Sequence, residues 1–297
     1  MAFTADSFPK CKTTARFESL GISFWYINVT KCESGDIYLQ CQFDNEWNKT
    51  LVYFDLEATG LKSSGRPRIT EVSLIAVNIE EILGLQQQTD RHFLDCSNKI
   101  ESLLPRVMNK LTICVYPMAT IRPEVSEMTG LDNYNLSGQS TFDRKTGELI
   151  NNFLARLPTP LCLVAHNGDL YDFPLLKAEL EKAKIYLPSN TLCADSYVGI
   201  KEIFKMREWR NNQQNACISR PKKNLNFNRI GSPRSYSLIN LHKHLLGVYP
   251  SQSHGAEADC LTLLRTTSVL GREWLDWVND NSCLFSGCER MWSLKCC

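Results

Sequence analysis

The stretch "VYFDLEATGL", residues 52–61, sets two carboxylates, Asp55 and Glu57, among Val52, Tyr53, Phe54 and Leu56. An apolar run of this kind makes a buried strand, and burying an ionised carboxylate is costly unless a cation or hydrogen bonds compensate. Burying two close together is worse, because like charges repel. In a strand, residues i and i+2 share a face. Asp55 and Glu57 therefore project together from the C-terminal end of a strand, where Gly60 opens a turn. Ligands bind at that end of an open α/β sheet. Either one carboxylate is neutral or something positive sits between them. Alone, D-x-E is a weak signal, since exposed carboxylates near strand ends are common.

Outward from this strand (51–57) the pattern is regular. Residues 69–79, "ITEVSLIAVNI", read as a second strand and 112–118 as another. Ile150, Phe153, Leu154 and Leu157 recur at i, i+3, i+4, i+7, one face of a helix. The short apolar strand "LCLVAHN" follows, then a helix starting near Tyr171, with Pro174 tolerated in its first turn. "TLCAD" reads as a further strand, and helices are expected over 197–209, Leu238–Leu246 and Ala256–Leu270. Strands followed by helix–strand–helix alternation predict an α/β layer fold with a mixed sheet. No internal repeat is visible.

Two further groups join the carboxylates. In "VAHNGDLYDFPLL", Asp172 falls at the start of a helix directly after a buried strand, near the helix's positive end, where a carboxylate is stabilised. The plainer reading is an N-cap, which Asp169 could supply equally well. In "SQSHGAEADCLTLL", His254 and Asp259 are five residues apart. Five helical residues turn through roughly 500°, so the two would diverge by about 140° on one helix. If Asp259 points into the site from the helix, His254 must reach it from the preceding loop. An isolated surface histidine is the plainer reading.

D-x-E-x-T-G, then H-N-x-x-x-Y-D, then H-x-x-x-x-D, in this order and on these elements, resemble the DEDDh class of 3′→5′ exonucleases. "FDLEATGL", "ITEVSLIAV", "SEMTGL", "VAHNGDLYDFPLL", "YSLINLHKHLLG" and "HGAEADCLTLL" are similar, more closely, to the three-prime repair exonuclease (Trex) family. The resemblance covers roughly residues 51–279. It implies a ribonuclease H-like fold, a mixed central sheet flanked by helices, and an exodeoxyribonuclease releasing 5′-mononucleotides from DNA 3′ ends. Asp55, Glu57, Asp172 and Asp259 form an oxygen-rich set suited to hard divalent ions. Two Mg²⁺, for which Mn²⁺ can substitute, would neutralise them and stabilise the attacking and leaving oxygens at a scissile phosphate. His254 is the candidate general base, since imidazole exchanges protons near neutrality.

Carried over by position, Glu57 and Ala58 approach the terminal nucleotide and Leu61 and Met128 pack on its bases. Ordinary packing would satisfy Leu61 and Met128 equally well. Tyr171 contacts the scissile phosphate, Asp259 also belongs to the substrate-binding set, and His166 and Asn167 shape the strand–helix turn. The resemblance further implies a homodimer joined through sheet edges and a preference for single-stranded DNA. Leu170 stands where vertebrate members carry Arg, which removes one DNA contact. The proline-rich insert and the long hydrophobic C-terminal tail of some members have no counterpart, so neither proline-directed partners nor membrane insertion is expected. Two alternatives stay open: an RNA-trimming DEDDh exoribonuclease, and a catalytically silent nucleic-acid-binding relative, against which the full set of five catalytic-type residues argues.

The rest of the chain bounds these readings. Its 297 residues carry 33 basic and 32 acidic side chains, a net charge of +1, which argues against a wholly basic nucleic-acid binder. No apolar run is long enough to span a bilayer. The organisation expected is an N-terminal extension of unknown role (1–48), a DEDDh exonuclease domain (49–280) and a cysteine-containing C-terminal tail (281–297). Lys10, Lys12 and Arg16 faintly suggest a transit peptide, but Asp6 and Glu18 count against it. An intracellular protein, cytoplasmic or nuclear, is expected. The 13 cysteines are scattered, several in apolar segments, and no signal peptide opens the chain. That favours free thiols in a reducing compartment, with chance sequons at Asn28 and Asn48. Cys283, Cys288, Cys296 and Cys297 crowd the end without a C-x-x-C pair, so unmodified thiols are favoured over a zinc site or a lipidated Cys-Cys terminus. Residues 205–234 hold Lys205, Arg207, Arg210, Arg220, Lys222, Lys223, Arg229 and Arg234 against Glu208 as the sole acid. This segment reads as a solvated loop or, given its one-sided charge, a phosphate-contacting loop.

Overall fold

A computed structural model of the chain describes residues 48–61, 63, 65–92, 104–217, 231–251 and 254–292, with three strand segments in the N-terminal part. The chain divides into two compact units, Met1–Trp47 and Asn48–Cys297. In the first unit β1 (Thr14–Ala15), β2 (Trp25–Lys31) and β3 (Ile37–Gln42) form an antiparallel sheet in the order β1-β2-β3. The sequence reading gave this extension no structure. Ile37, Leu39 and Cys41 alternate at strand period all the same.

In the second unit, β4 (Thr50–Ala58), β5 (Ile69–Asn78), β6 (Asn109–Cys114), β7 (Leu161–Ala165), β8 (Leu192–Asp195) and β9 (Cys283–Leu284) build one mixed sheet. Its order is β6-β5-β4-β7-β8-β9. The β4–β5, β5–β6 and β8–β9 pairs are antiparallel, while β4–β7 and β7–β8 are parallel. The ribonuclease H-like reading is realised in this sheet and the helices on its faces. β9 belongs to residues 281–297, set apart above as a tail, yet it supplies the sheet's last strand.

The two faces of β4 explain its mixed composition. Val52, Phe54, Leu56 and Ala58 join a buried cluster with Ile150 and Leu154 of α3 (Arg144–Ala155) and Phe173 and Leu176 of α4 (Asp172–Lys182). Phe54 and Phe173 stack with centroids 6.2 Å apart. Such a pair contributes about 0.5–1.5 kcal/mol beyond its buried area, and here it holds the strand bearing Asp55 against the helix bearing Asp172. On the other face the Tyr53 hydroxyl lies 2.9 Å from Thr267 Oγ1 of α7 (Ala256–Leu270). Asp55 and Glu57 continue that α7-facing row, as the two-residue period dictates.

Several helices differ from the sequence reading. The second strand ends at Asn78 because α1 (Ile79–His92) starts at once, with Glu80 and Glu81 in its first turn. α8 (Arg272–Asn281) was not anticipated, although Trp274, Leu275 and Val278 form its buried face. It lies against α5 (Ser196–Cys217) at Gly199, where an added Cβ would come within 2.5 Å of the Trp277 ring. The close approach requires glycine. α2 (Pro123–Thr129) and α6 (Leu238–Leu246) complete the helices among the described residues.

The basic segment is partly corrected. Residues up to Cys217 continue α5, and Arg207 is buried in an ion pair with Glu273, which Arg210 also approaches at 3.4 Å. These two guanidinium groups hold α8 and do not belong to a loop. Arg220, Lys222, Lys223 and Arg229 lie outside the described residues.

Candidate active site

The site forms where β4 runs past its pairing with β7. The parallel register ends at Tyr53 opposite Val164, so Asp55 and Glu57 occupy the overhanging end of the strand. The β4–β5 register shifts between Glu57 and Ala58. Bulges of this kind recur next to active sites, where they re-aim side chains. Carboxylate oxygens of Asp55, Glu57 and Asp259 lie within 4.8 Å of one another. Asp259 sits in the first turn of α7, and its N–H closes that turn on the Gly255 carbonyl at 3.0 Å.

Asp172 completes the group from the first residue of α4 and is buried. The turn that delivers it is tightly held. Asn167 adopts a left-handed backbone (φ 61°), a conformation Asn tolerates. At Gly168 a Cβ would meet Ala165 at 2.6 Å and the Phe173 ring at 2.8 Å. Asp195, at the end of β8, accepts the N–H groups of Asn167 (2.9 Å), Asp169 (3.2 Å) and Tyr197 (2.8 Å). His166 is half-buried between Ser196 Oγ (2.9 Å) and the Tyr236 carbonyl (2.9 Å). Burial lowers its pKa from the ordinary value, which suits a neutral structural imidazole.

Electrostatics answer the question the strand posed. Burial, then the charges of Asp172, Asp259, Glu57 and Glu71, raise the Asp55 carboxyl well above its ordinary range. Glu57 is raised to about 7 by burial and by Asp259 and Glu71. Asp172 is raised to about 8 by burial, although the backbone N–H groups of Asp172 and Leu56 pull it back. Asp259 is raised by burial, partly offset by His254. Carboxyls crowded in this way either hold protons or share cations. The donors are all hard oxygens, which fits magnesium or manganese.

His254 is exposed and stands just before the α7 N-cap, Gly255, with a left-handed backbone (φ 64°). That conformation is strained for a residue with a Cβ, and it places the imidazole beside Asp259 without sharing its helix. Ala58 is buried at the strand end, whereas Leu61 is 65% and Met128 51% exposed. Ordinary core packing therefore does not account for those two apolar side chains. The Tyr171 hydroxyl donates to the Gly60 carbonyl at 2.5 Å, joining the α4 turn to the loop after β4. Leu170 is 73% exposed in the same turn.

Two supporting carboxylates escaped the sequence reading. Asp195 reads locally only as a cap before α5, which its bond from Tyr197 satisfies, while its other partners lie 26 and 28 residues away. Glu71 carries no signal in the sequence beyond its place in the strand "ITEVSLIAVNI". It sits opposite Glu57 in the β4–β5 register and accepts the Ala256 N–H at 2.8 Å. It therefore caps the helix that carries Asp259 and anchors the loop of His254. Glu71→Ala is expected to lower kcat by about 10–100-fold, the usual loss for a residue that orients a metal ligand. Glu71→Gln keeps an acceptor for Ala256 and is expected to retain most of the activity; steady-state nuclease kinetics compare the two.

The fold and the acidic centre together define a nuclease of the ribonuclease H-like class. Among solved structures the chain is similar to exonuclease I, with a TM-score of 0.51 at 14% identity over 77% of this chain and 43% of that one. The E. coli enzyme with a dA16 oligonucleotide gives the same figures. At this identity the likeness concerns the fold. No model of a known protein family matches the chain. Curated relatives are nearer in sequence. Three-prime repair exonuclease 1 of Bos taurus is 36% identical over 249 residues, 82% of this chain and 70% of that protein. Three prime repair exonuclease 2 of Mus musculus is 32% identical over 246 residues, 82% of this chain and 93% of that protein. The chain belongs to the three-prime repair exonuclease family and is an exonuclease acting at 3′ ends.

Proposed function

We propose that this protein is a metal-dependent 3′→5′ DNA exonuclease that hydrolyses the terminal phosphodiester and releases 5′-mononucleotides. The observation that carries the reading is the convergence of Asp55, Glu57 and Asp259 within 4.8 Å at the end of β4, with Asp172 beside them. These four carboxylates would hold two Mg²⁺, which supply positive charge against the scissile phosphate and its attacking and leaving oxygens when bound. His254 takes the proton of the attacking water from its exposed position on the loop. Leu61 and Met128 present apolar surface to the last bases, Glu57 and Ala58 line the terminal nucleotide, and Tyr171 faces the scissile phosphate. An exposed Leu170 adds no charge to the backbone contacts.

His254→Ala is expected to lower kcat by about 10²–10⁴-fold, the range for loss of a general base, with Mn²⁺ affinity by isothermal titration nearly unchanged. A large loss of metal binding would recast His254 as a ligand. Substrate class is tested with single-stranded DNA and RNA oligonucleotides of one sequence, labelled at the 5′ end. DNA is expected to be shortened much faster, because a 2′-OH is sensed beside Glu57 and Ala58. Equal rates on RNA would favour the exoribonuclease alternative.

The partner is DNA with a free 3′ end, single-stranded by preference. β6 forms the outer edge of the sheet and is half-exposed along its length, which supports homodimer pairing through that strand. No helix among the described residues is long and apolar enough to cross a membrane. A cytoplasmic or nuclear site of action is the reading that nucleic-acid substrates support.

A further inference from the structure

At the β8–β9 edge of the sheet three thiols meet. Cys193 of β8 is buried, Cys283 of β9 is exposed and Cys288 is half-buried. Cys193 Sγ lies 3.3 Å from Cys288 Sγ and 3.6 Å from Cys283 Sγ. The C-terminal segment that brings Cys283 and Cys288 there is firmly seated. Phe285 N–H donates to the Thr191 carbonyl and Met291 N–H to the Pro174 carbonyl, each at 2.9 Å. The Lys177 ammonium donates to the Ser286 carbonyl at 2.7 Å and also to that of Cys288. Cys283 and Cys288 open onto a hollow also lined by Asp169, Leu170 and Pro174. The nuclease reading uses none of these sulfurs.

We propose that Cys288 and Cys193 form a reversible disulfide when the protein meets a hydroperoxide, with Cys288 as the attacking thiol and Cys193 as the resolving one. Their roles follow from position: Cys288 faces the hollow, and Cys193 lies behind it in the sheet. The sulfur–sulfur contact with Cys193 lowers the Cys288 thiol from its ordinary value, and nearby Lys177 acts in the same direction, against burial and the Asp169 charge. The same contact, with burial, holds Cys193 protonated. A thiol lowered in this way, open to small solutes and beside a second thiol, is the arrangement of a redox-sensitive cysteine.

The chemistry balances in two steps. The Cys288 thiolate attacks one peroxide oxygen, forming S–O as O–O breaks, and the alcohol leaves with a proton. Cys193 then attacks the sulfenic sulfur, forming S–S as S–O breaks, and its own proton leaves with the hydroxide as water. Two thiols lose two electrons and two protons, and the hydroperoxide is reduced to alcohol and water. A zinc ion would need a fourth ligand, and the described residues place no histidine among these sulfurs.

The test uses the full reduced chain treated with hydrogen peroxide under native conditions, then alkylated, digested and mapped by mass spectrometry without reductant. The expected result is a crosslinked pair of peptides carrying Cys193 and Cys288, lighter by two hydrogens and separated by dithiothreitol. In Cys193→Ala, Cys288 is expected to stop at the sulfenic acid and take a dimedone label. Alkylation of both thiols after peroxide would overturn the proposal, as would sulfinic Cys288 beside intact Cys193, or a Cys193–Cys283 link. So would zinc recovered at one equivalent per chain and lost in Cys288→Ser. The wild-type map decides the matter even if a variant folds poorly.

Discussion

Asp172→Asn is expected to abolish nuclease activity while the protein stays folded. The substitution keeps the side chain's shape, so it leaves no cavity in the cluster around Phe173. What it removes is the charge that the acidic centre would direct at a divalent cation. Residues that merely orient a ligand cost about 10–100-fold when lost, so removal of a ligand should exceed that. Asp55→Asn should act alike, because Asp55 is surrounded by the charges of Asp172, Asp259, Glu57 and Glu71. Without metal both variants should be more stable than the parent, since each deletes one source of repulsion. Purified Asp172→Asn protein degrading a labelled oligonucleotide at a near-parental rate would remove this residue from the centre. Circular dichroism on the same sample separates loss of chemistry from loss of fold.

The strand at residues 51–57 was legible as a short apolar run, and once it is a strand the two-residue period of the backbone fixes which side chains share a face. It predicted that Asp55 and Glu57 share a face, and the α7-facing row from Tyr53 follows the same rule. The helices Leu238–Leu246 and Ala256–Leu270 were legible to the residue, since glycines stand just outside them at Gly247 and at Gly255 and Gly271. α1 was hidden for the opposite reason. No glycine or proline separates it from β5, and an apolar run can be read at either period. β9 has two residues, too few to show any period.

The supporting layer of the site was the least legible part. Glu71 and Asp195 are ordinary carboxylates in the sequence, and what distinguishes them is the backbone N–H each accepts from far along the chain. Ala256 lies 185 residues from Glu71. The same holds for the thiols, with Cys193 separated from Cys283 by 90 residues and from Cys288 by 95. Local chemistry names candidates for a centre. Only the fold shows which side chains hold them in place.

Thermal stability of the metal-free protein is expected to fall as pH rises from about 5.5 to 8.5. Glu57 is raised to about 7 and Asp172 to about 8 in the folded protein, whereas unfolded carboxyls titrate near 4. Below pH about 4 both states hold these protons, and the folded state keeps its full contribution. Between the two ranges the unfolded chain has released its protons and the folded centre still binds them. Stability therefore declines with pH, until both groups have ionised in the fold as well. For a domain of about 150–250 residues, each 1 kcal/mol lost lowers Tm by about 2–4 °C. Melting curves in a chelator across this range should show a decline of several degrees, shallower in Asp172→Asn, which has lost one of the titrating groups. Adding Mg²⁺ should raise Tm more at pH 8 than at pH 5.5, because a cation that binds only the folded state stabilises it by mass action and competes with protons for the same oxygens. A chelated protein whose Tm is level or climbs over this range would show that the four carboxyls do not repel one another as their packing requires.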